Sequence, residues 1–253
     1  MNNLNEFIAN EIKNIVKSSN VSTTYRTPLV CFGDAQNPLF NDLKNFIDED
    51  HYLPSDLLEN GKTVVSFFIP FSEDIAYGNI KNDITTKEWA YAKKDTEGVI
   101  DEIIAEMKIK LSDIGINVSN NPSKAPYTSD NFIHKWSQRH VGYICGLGNF
   151  GLNHLLITES GCAGRYGSFV IDAKTDYNSV VSEEYCLYKV DKSCGACVKN
   201  CPSGALNYDG IDKVKCSSSM DVINEKYYDG IKALKSCGKC IALPCALKRP
   251  TKK

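Results

Sequence analysis

The chain has 253 residues, enough to bury a sizeable core as one large domain or two small ones. Lys plus Arg (29) nearly equals Asp plus Glu (31), so no overall field argues for a polyanionic partner such as nucleic acid. No apolar run reaches the roughly 18 residues of a membrane span, and eleven cysteines without a secretion signal point to a reducing, cytoplasmic setting, where paired thiols hold metal more often than they form disulfides.

From the start of the chain, Leu4, Phe7, Ile8, Ile12, Ile15 and Val16 fall on one face, which predicts an amphipathic helix and not a signal peptide. Pro28 to Ala35 and Thr63 to Phe71 are apolar, β-branched or aromatic runs of strand length. Thr96 to Ile116 carries Val99, Ile100, Ile103, Ile104, Met107, Leu111 and Ile114 at helical spacing and is expected to end near Gly115. Ser119 to Asn131 is turn-rich and reads as a loop. His154 to Thr158 and Ser168 to Ala173 read as two more strands around a glycine-rich turn. These elements predict a mixed α/β domain over residues 1–180, with a sheet covered by helices, and a cysteine-rich domain over 181–253.

Cysteine density changes at residue 186. Cys31, Cys145 and Cys162 are scattered before it, and eight more fall within the next 60 residues. In "SCGACVKNCP", Cys194, Cys197 and Cys201 with Pro202 fit the last three positions of the C-x2-C-x2-C-x3-C-P pattern, whose final cysteine serves the other of two iron-sulfur clusters. The first position holds Asp191, and Cys186 is the natural substitute because the intervening residues can loop back. By this crossover logic one 4Fe-4S cluster takes Cys186, Cys194, Cys197 and Cys245, and the other takes Cys201, Cys216, Cys237 and Cys240. Pairing by sequence proximity alone is the competing scheme, and two tetrahedral zinc sites are the competing chemistry. The C-P context favours iron-sulfur. Cys31, in an apolar strand, reads as a buried small hydrophobe.

Residues 134–168 hold Gly142, Gly146, Gly148 and Gly151, then Gly161, Gly164 and Gly167, which suits tight turns or the close approach of a flat ligand. "GLGNFG" matches G-x-G-x-x-G literally, but a helix precedes it and a strand follows. That order is the reverse of a dinucleotide site.

"WSQRHVGYICGLGNFGLNHLLIT", then "GRYGSFVIDAKTD", then the cysteines with "CPSGAL", resembles the epoxyqueuosine reductase family and its relatives, the corrinoid-dependent reductive dehalogenases, over roughly residues 130–245. The resemblance implies a modified nitroreductase-like α/β (α+β) domain holding cobalamin, followed by a ferredoxin-like module with two 4Fe-4S clusters. Electrons from an external flavodoxin- or ferredoxin-type donor would pass through the clusters and reduce the corrinoid cobalt. Gly146, Gly148, Gly151 and Asn153 would line the corrin or its tail, and tRNA is one substrate class this family implies.

Three departures mark a divergent branch. The family's V-D-[ST]-G-P segment, with its catalytic aspartate, is absent, leaving Asp130 as the nearest carboxylate. The first cluster cysteine is displaced to Cys186. The chain stops eight residues after Cys245, without the helical-repeat tail of some members. A non-catalytic two-cluster carrier serving a partner, such as a corrinoid protein, is the alternative function.

Single residues carry paired readings. Arg139 and His140, with His134 and Lys135, form either a cationic edge for an anionic ligand, where His140 donates a proton near neutral pH, or a solvated helix face. Arg165 is either a bidentate anion ligand or a surface arginine. Tyr143 and Tyr166 are phenolic donors or core-filling residues, and the basic tail "LKRPTKK" meets RNA, meets an acidic donor, or serves solubility.

Overall fold

A computed structural model describes residues 4–124, 127–128, 133–227 and 236–251. In chain order the elements are α1 (Leu4–Ser18), β1 (Leu29–Asp34), α2 (Leu39–Phe46), α3 (Pro54–Leu57), β2 (Thr63–Pro70), α4 (Glu73–Lys81), α5 (Lys87–Ser112), β3 (Tyr127–Thr128), β4 (Ile133–His134), α6 (Gln138–Ile144), β5 (Gly148–Phe150), β6 (Leu156–Thr158), β7 (Gly164–Ile171), α7 (Leu187–Asp191), α8 (Ala196–Lys199) and α9 (Lys213–Tyr227).

The central sheet is antiparallel with order β1-β2-β7, and Val65 lies between Phe32 and Phe169. Every residue of β2 is buried, because helices cover both faces. The period-two alternation of a strand sorts its side chains: Val65, Phe67 and Ile69 join Phe169 and Ile171 under α1 and α5, while Val64 and Val170 meet α2 and α6. α1 contributes Ile8, Ile12, Ile15 and Val16, the face read in the sequence. α5 contributes Val99 through Leu111 but begins nine residues before the predicted start, at Lys87. The Thr86 hydroxyl accepts from the Trp89 amide at 3.4 Å and caps it.

β7 also begins earlier than expected. Gly164 and Gly167 interrupt its apolar pattern, and a side chain at either would collide with the rings of Phe68 and Phe67 respectively. Glycine here is what lets β7 lie flat over two aromatic side chains. Trp136 anchors α6 to this strand: its Nε1 donates to Ser168 Oγ at 2.9 Å, and that hydroxyl donates to Gln138 Oε1 at 2.7 Å.

After β7 the cysteine-rich segment folds back onto the same body. Phe71, Ala76, Trp89, Leu152 and Ile157 share one apolar cluster with Cys186, Cys197, Leu206, Ile241 and Ala246. The residues from 236 onward are pinned by backbone bonds, Cys162 N to Cys245 O (3.0 Å) and Ala163 N to Ala246 O (2.9 Å). Arg26 completes the seam, donating to Phe71 O (2.9 Å), Leu247 O (2.6 Å) and Ser160 O (2.9 Å). No helix among the described residues is long and apolar enough to cross a membrane.

Phe67 is fully buried at the centre of the sheet. Phe67→Ala is expected to cost roughly 3–5 kcal/mol, read as a lower denaturation midpoint at unchanged slope. A loss under about 1 kcal/mol would contradict this placement of the core.

Candidate functional site

Local sequence decides how the thiols are presented. Cys186 is the N-cap of α7, which spans only five residues and ends at Lys192 in a left-handed conformation (φ 63°). The chain therefore turns sharply before Ser193. Asp191, standing where the regular motif has its first cysteine, accepts from the Ser193 amide at 3.0 Å and serves that turn. α8 carries Cys197, and Cys201 follows it with a sulfur that accepts from the Leu206 amide at 3.4 Å.

One cavity is lined by Cys186, Cys194, Cys197 and Cys245, together with Leu152 and Asn153 of the glycine-rich segment. The Leu152 amide donates to Cys186 Sγ at 3.4 Å. Burial, then the sulfurs of Cys245, Cys186 and Cys194, push the Cys197 thiol up to about 11. The remaining four cysteines form a second neighbourhood. Burial, then Cys237, Cys216, Cys197 and Cys201, raises Cys240 to about 12, while burial with Cys237 and Cys201 raises Cys216. Cys201 behaves differently: burial pushes it up, but the amides of Leu206, Ser203 and Ala205 and the Ser203 hydroxyl outweigh burial and hold it below the ordinary thiol value. Among the described residues no three His, Cys, Asp or Glu side chains converge on one metal-ion position.

Cys162 is the residue that sequence spacing missed. It is buried (2% exposed), its amide donates to Cys245 O, and its thiol is hydrogen-bonded to Cys245, which holds the Cys245 thiol down. Asn153 Nδ2 reaches Cys162 Sγ at 3.8 Å and Cys240 O at 3.1 Å, tying both neighbourhoods to the glycine-rich segment. The sequence signal was "GCAG": a cysteine between glycines in a turn, with no spacing to link it to residues 80 positions later.

The glycines themselves face inward. The space a side chain would take is filled at Gly146 by Ser179 O, at Gly148 by Ile157 O, and at Gly151 by Asn153 and Ile157. At these positions the missing side chains let β5, β6 and the 178–179 segment close on one another, while Asn153 also lines the cysteine cavity. α6 precedes the glycines and β6 follows, the order read in the sequence.

Arg165 lies in β7, with Nη2 3.1 Å from Glu97 and a buried Nε that has no partner. Arg139 donates to His154 O at 2.7 Å. Desolvation by burial is the first cause lowering both guanidinium groups from the ordinary value. Tyr166 donates to Leu156 O, and burial raises its phenol well above the ordinary value. His140 pairs with Ser137 Oγ at 2.7 Å through Nδ1 and packs on Phe150 with ring centres 4.7 Å apart. Burial, then the charges of Arg139, His51 and Lys213, pushes it down to about 4. The direction of this shift runs against proton donation by His140 near neutral pH. Asp130 lies outside the described residues.

No protein-family model matches the chain, and no curated protein matches it in sequence. Solved structures do. An epoxyqueuosine reductase from Bacillus subtilis, with its catalytic aspartate loop swung out of the active site, is 16% identical with a TM-score of 0.55, over 97% of this chain and 67% of that one. An epoxyqueuosine reductase bound to an epoxyqueuosine-modified tRNA-Tyr stem loop is 16% identical, with a TM-score of 0.52 over 85% of this chain and 57% of that one. A catabolic reductive dehalogenase in complex with 3-bromo-4-hydroxybenzoic acid is 13% identical, with a TM-score of 0.50 over 92% of this chain and 35% of that one. The resemblance read from the motifs is thus met by the fold, and the chain spans about two thirds or less of these relatives' lengths.

The histidines give the site a pH dependence. Burial is the first cause lowering each of His51, His134, His140 and His154 from the ordinary 6.5, so below that value the unfolded chain binds more protons than the folded one. Stability is full above pH 6.5 and is lost as pH falls toward 4. Thermal melts are expected to show a Tm that drops between pH 7 and pH 5, and drops less in His140→Gln. Equal drops would contradict the burial of this ring.

Proposed function

We propose that the chain is an iron-sulfur reductase of the cobalamin-using kind, resembling epoxyqueuosine reductase, with two 4Fe-4S clusters that pass single electrons to a corrinoid or a substrate. The cavity at Cys186, Cys194, Cys197 and Cys245 carries this reading, because it gathers thiols from positions up to 59 residues apart. The donor set fits an iron-sulfur cluster: four thiols, no histidine or carboxylate in the lining, apolar walls at Leu152, Ile157 and Ala242, and an amide aimed at one sulfur. Cys201, Cys216, Cys237 and Cys240 are proposed as the second set on the strength of their mutual electrostatic influence.

Bound clusters supply one-electron storage at thiolate-held iron. The chain's own part is to hold those thiolates, exclude water, and stabilise their charge with the Leu152 and Leu206 amides. Because crowding and burial raise Cys197 and Cys240, occupying these sites releases protons. Residues 1–180 and 181–253 are proposed as the nitroreductase-like and ferredoxin-like units, joined by the apolar cluster they share.

Gly146, Gly148, Gly151, Asn153 and Arg165 are proposed to border the corrinoid, by their positions in the motifs that resemble the family. Among the described residues the buried Arg165 Nε has no partner, which leaves a donor for an acceptor such as a corrinoid side-chain amide or a phosphate. A tRNA is one candidate substrate, by likeness to the tRNA-bound neighbour. Asp130 is the proposed proton donor, by its position relative to the family's aspartate segment.

Iron, zinc and corrinoid analysis of anaerobically prepared protein tests the assignment. About eight irons with bindable cobalamin is the expected result, and Cys186→Ala should fall to about four. Zinc alone would overturn the reading, and eight irons without corrinoid affinity would leave a carrier. Cys162→Ala should keep its iron but lower the midpoint of one cluster in an EPR-monitored redox titration, because a hydrogen bond to Cys245 is lost. An unchanged midpoint would show that Cys162 only fills space.

A further inference from the structure

A shallow basin opens on the outer side of the cysteine cavity. Its wall includes Tyr188, Lys192, Cys194, Lys199 and Tyr208. Cys194 and Gly195 belong to both the basin and the interior cavity, so this thiol has one side toward solvent and the other toward Cys186, Cys197 and Cys245. Cys194 and Cys245 are partly exposed, whereas Cys186 and Cys197 are each 9% exposed, and of the four thiols Cys194 is the one that also lines the basin. Gly195 lets the Tyr208 hydroxyl lie close against the backbone here.

The rim has a definite chemistry. Lys192 and Lys199 are exposed, and no carboxylate lines the basin. Two acids adjoin rim residues in sequence: Asp191 accepts from the Ser193 amide, and Asp209, next to Tyr208, is exposed outside the lining. Lys192 Nζ sits 4.2 Å from the Tyr188 ring centre, and Tyr188 and Tyr208 pack with ring centres 5.1 Å apart. Tyr208 is 47% exposed and, with Tyr188, gives the basin an aromatic wall beside its two lysines. That is the layout of a transient protein-docking face, with charge for steering and a small apolar contact for registry.

We propose that this basin is the docking site of an acidic one-electron carrier of the flavodoxin or ferredoxin type, with Cys194 as the point of closest approach to the first cluster. This rests on the iron-sulfur reading above. In the transfer the reduced carrier loses one electron and the oxidised cluster gains it, with no bond made or broken. RNA is the other polyanion a lysine rim attracts, but the placement of the rim around the one thiol shared with the cluster cavity favours an electron donor.

The test uses anaerobically prepared full-length protein, a reduced flavodoxin, and reduced methyl viologen as a reductant that needs no docking face. Lys192→Glu/Lys199→Glu is expected to slow cluster bleaching by flavodoxin about tenfold at low salt, to weaken flavodoxin binding seen by flavin fluorescence, and to abolish most of its salt dependence. Bleaching by viologen should be unchanged. The control pair Lys17→Glu/Lys174→Glu, exposed elsewhere, should behave as wild type. Flavodoxin rates and binding equal in all variants would overturn the docking site, as would a rim variant that lost tRNA binding alone. Failure of viologen to bleach any variant would instead sink the iron-sulfur reading.

Discussion

Everything in the proposed site depends on one seam, where residues 161–163 meet residues 245–247. Cysteines from separate stretches of chain can share a cavity only if the residues after 236 return to the body of the molecule. The return is fixed by the Cys162 and Ala163 amides on Cys245 and Ala246, and by the three hydrogen bonds of Arg26. Gly161 permits it, since a side chain there would meet Ala246 O, and its φ of 78° suits glycine. Without this seam Cys245 has no reason to stand beside Cys197.

The seam also sets the chemistry. It buries sulfur against sulfur in an apolar surrounding, where thiols resist losing their protons one at a time. A cofactor that takes several thiolates at once relieves that crowding, and the amides at Leu152 and Leu206 are already turned toward the sulfurs. Elsewhere burial, with the charge of Arg139, lowers His140 from the ordinary value.

Periodicity made the sheet and its covering helices legible. β2 and the apolar faces of α1 and α5 follow directly from the spacing of Ile, Val and Phe. It misjudged the starts of α5 and β7, because Thr86 capping and aromatic clearance at Gly164 and Gly167 are properties of neighbours in space. The motif also showed that Asp191 breaks the cysteine spacing and that Cys186 stands ready to replace it. What it did not show is Cys162, whose partner lies 83 residues away, or that the clustered glycines pack inward. A glycine signals that a side chain has no room, and sequence alone does not say whether a ligand or the protein fills the space.

The central claim is that the three cysteines of "SCGACVKNCP" belong to two different clusters. Anomalous diffraction at the iron edge from crystals of the loaded protein tests it most directly. The account predicts two iron centres, one bounded by Cys186, Cys194, Cys197 and Cys245 and the other by Cys201, Cys216, Cys237 and Cys240. A single centre holding Cys194, Cys197 and Cys201 together would contradict it.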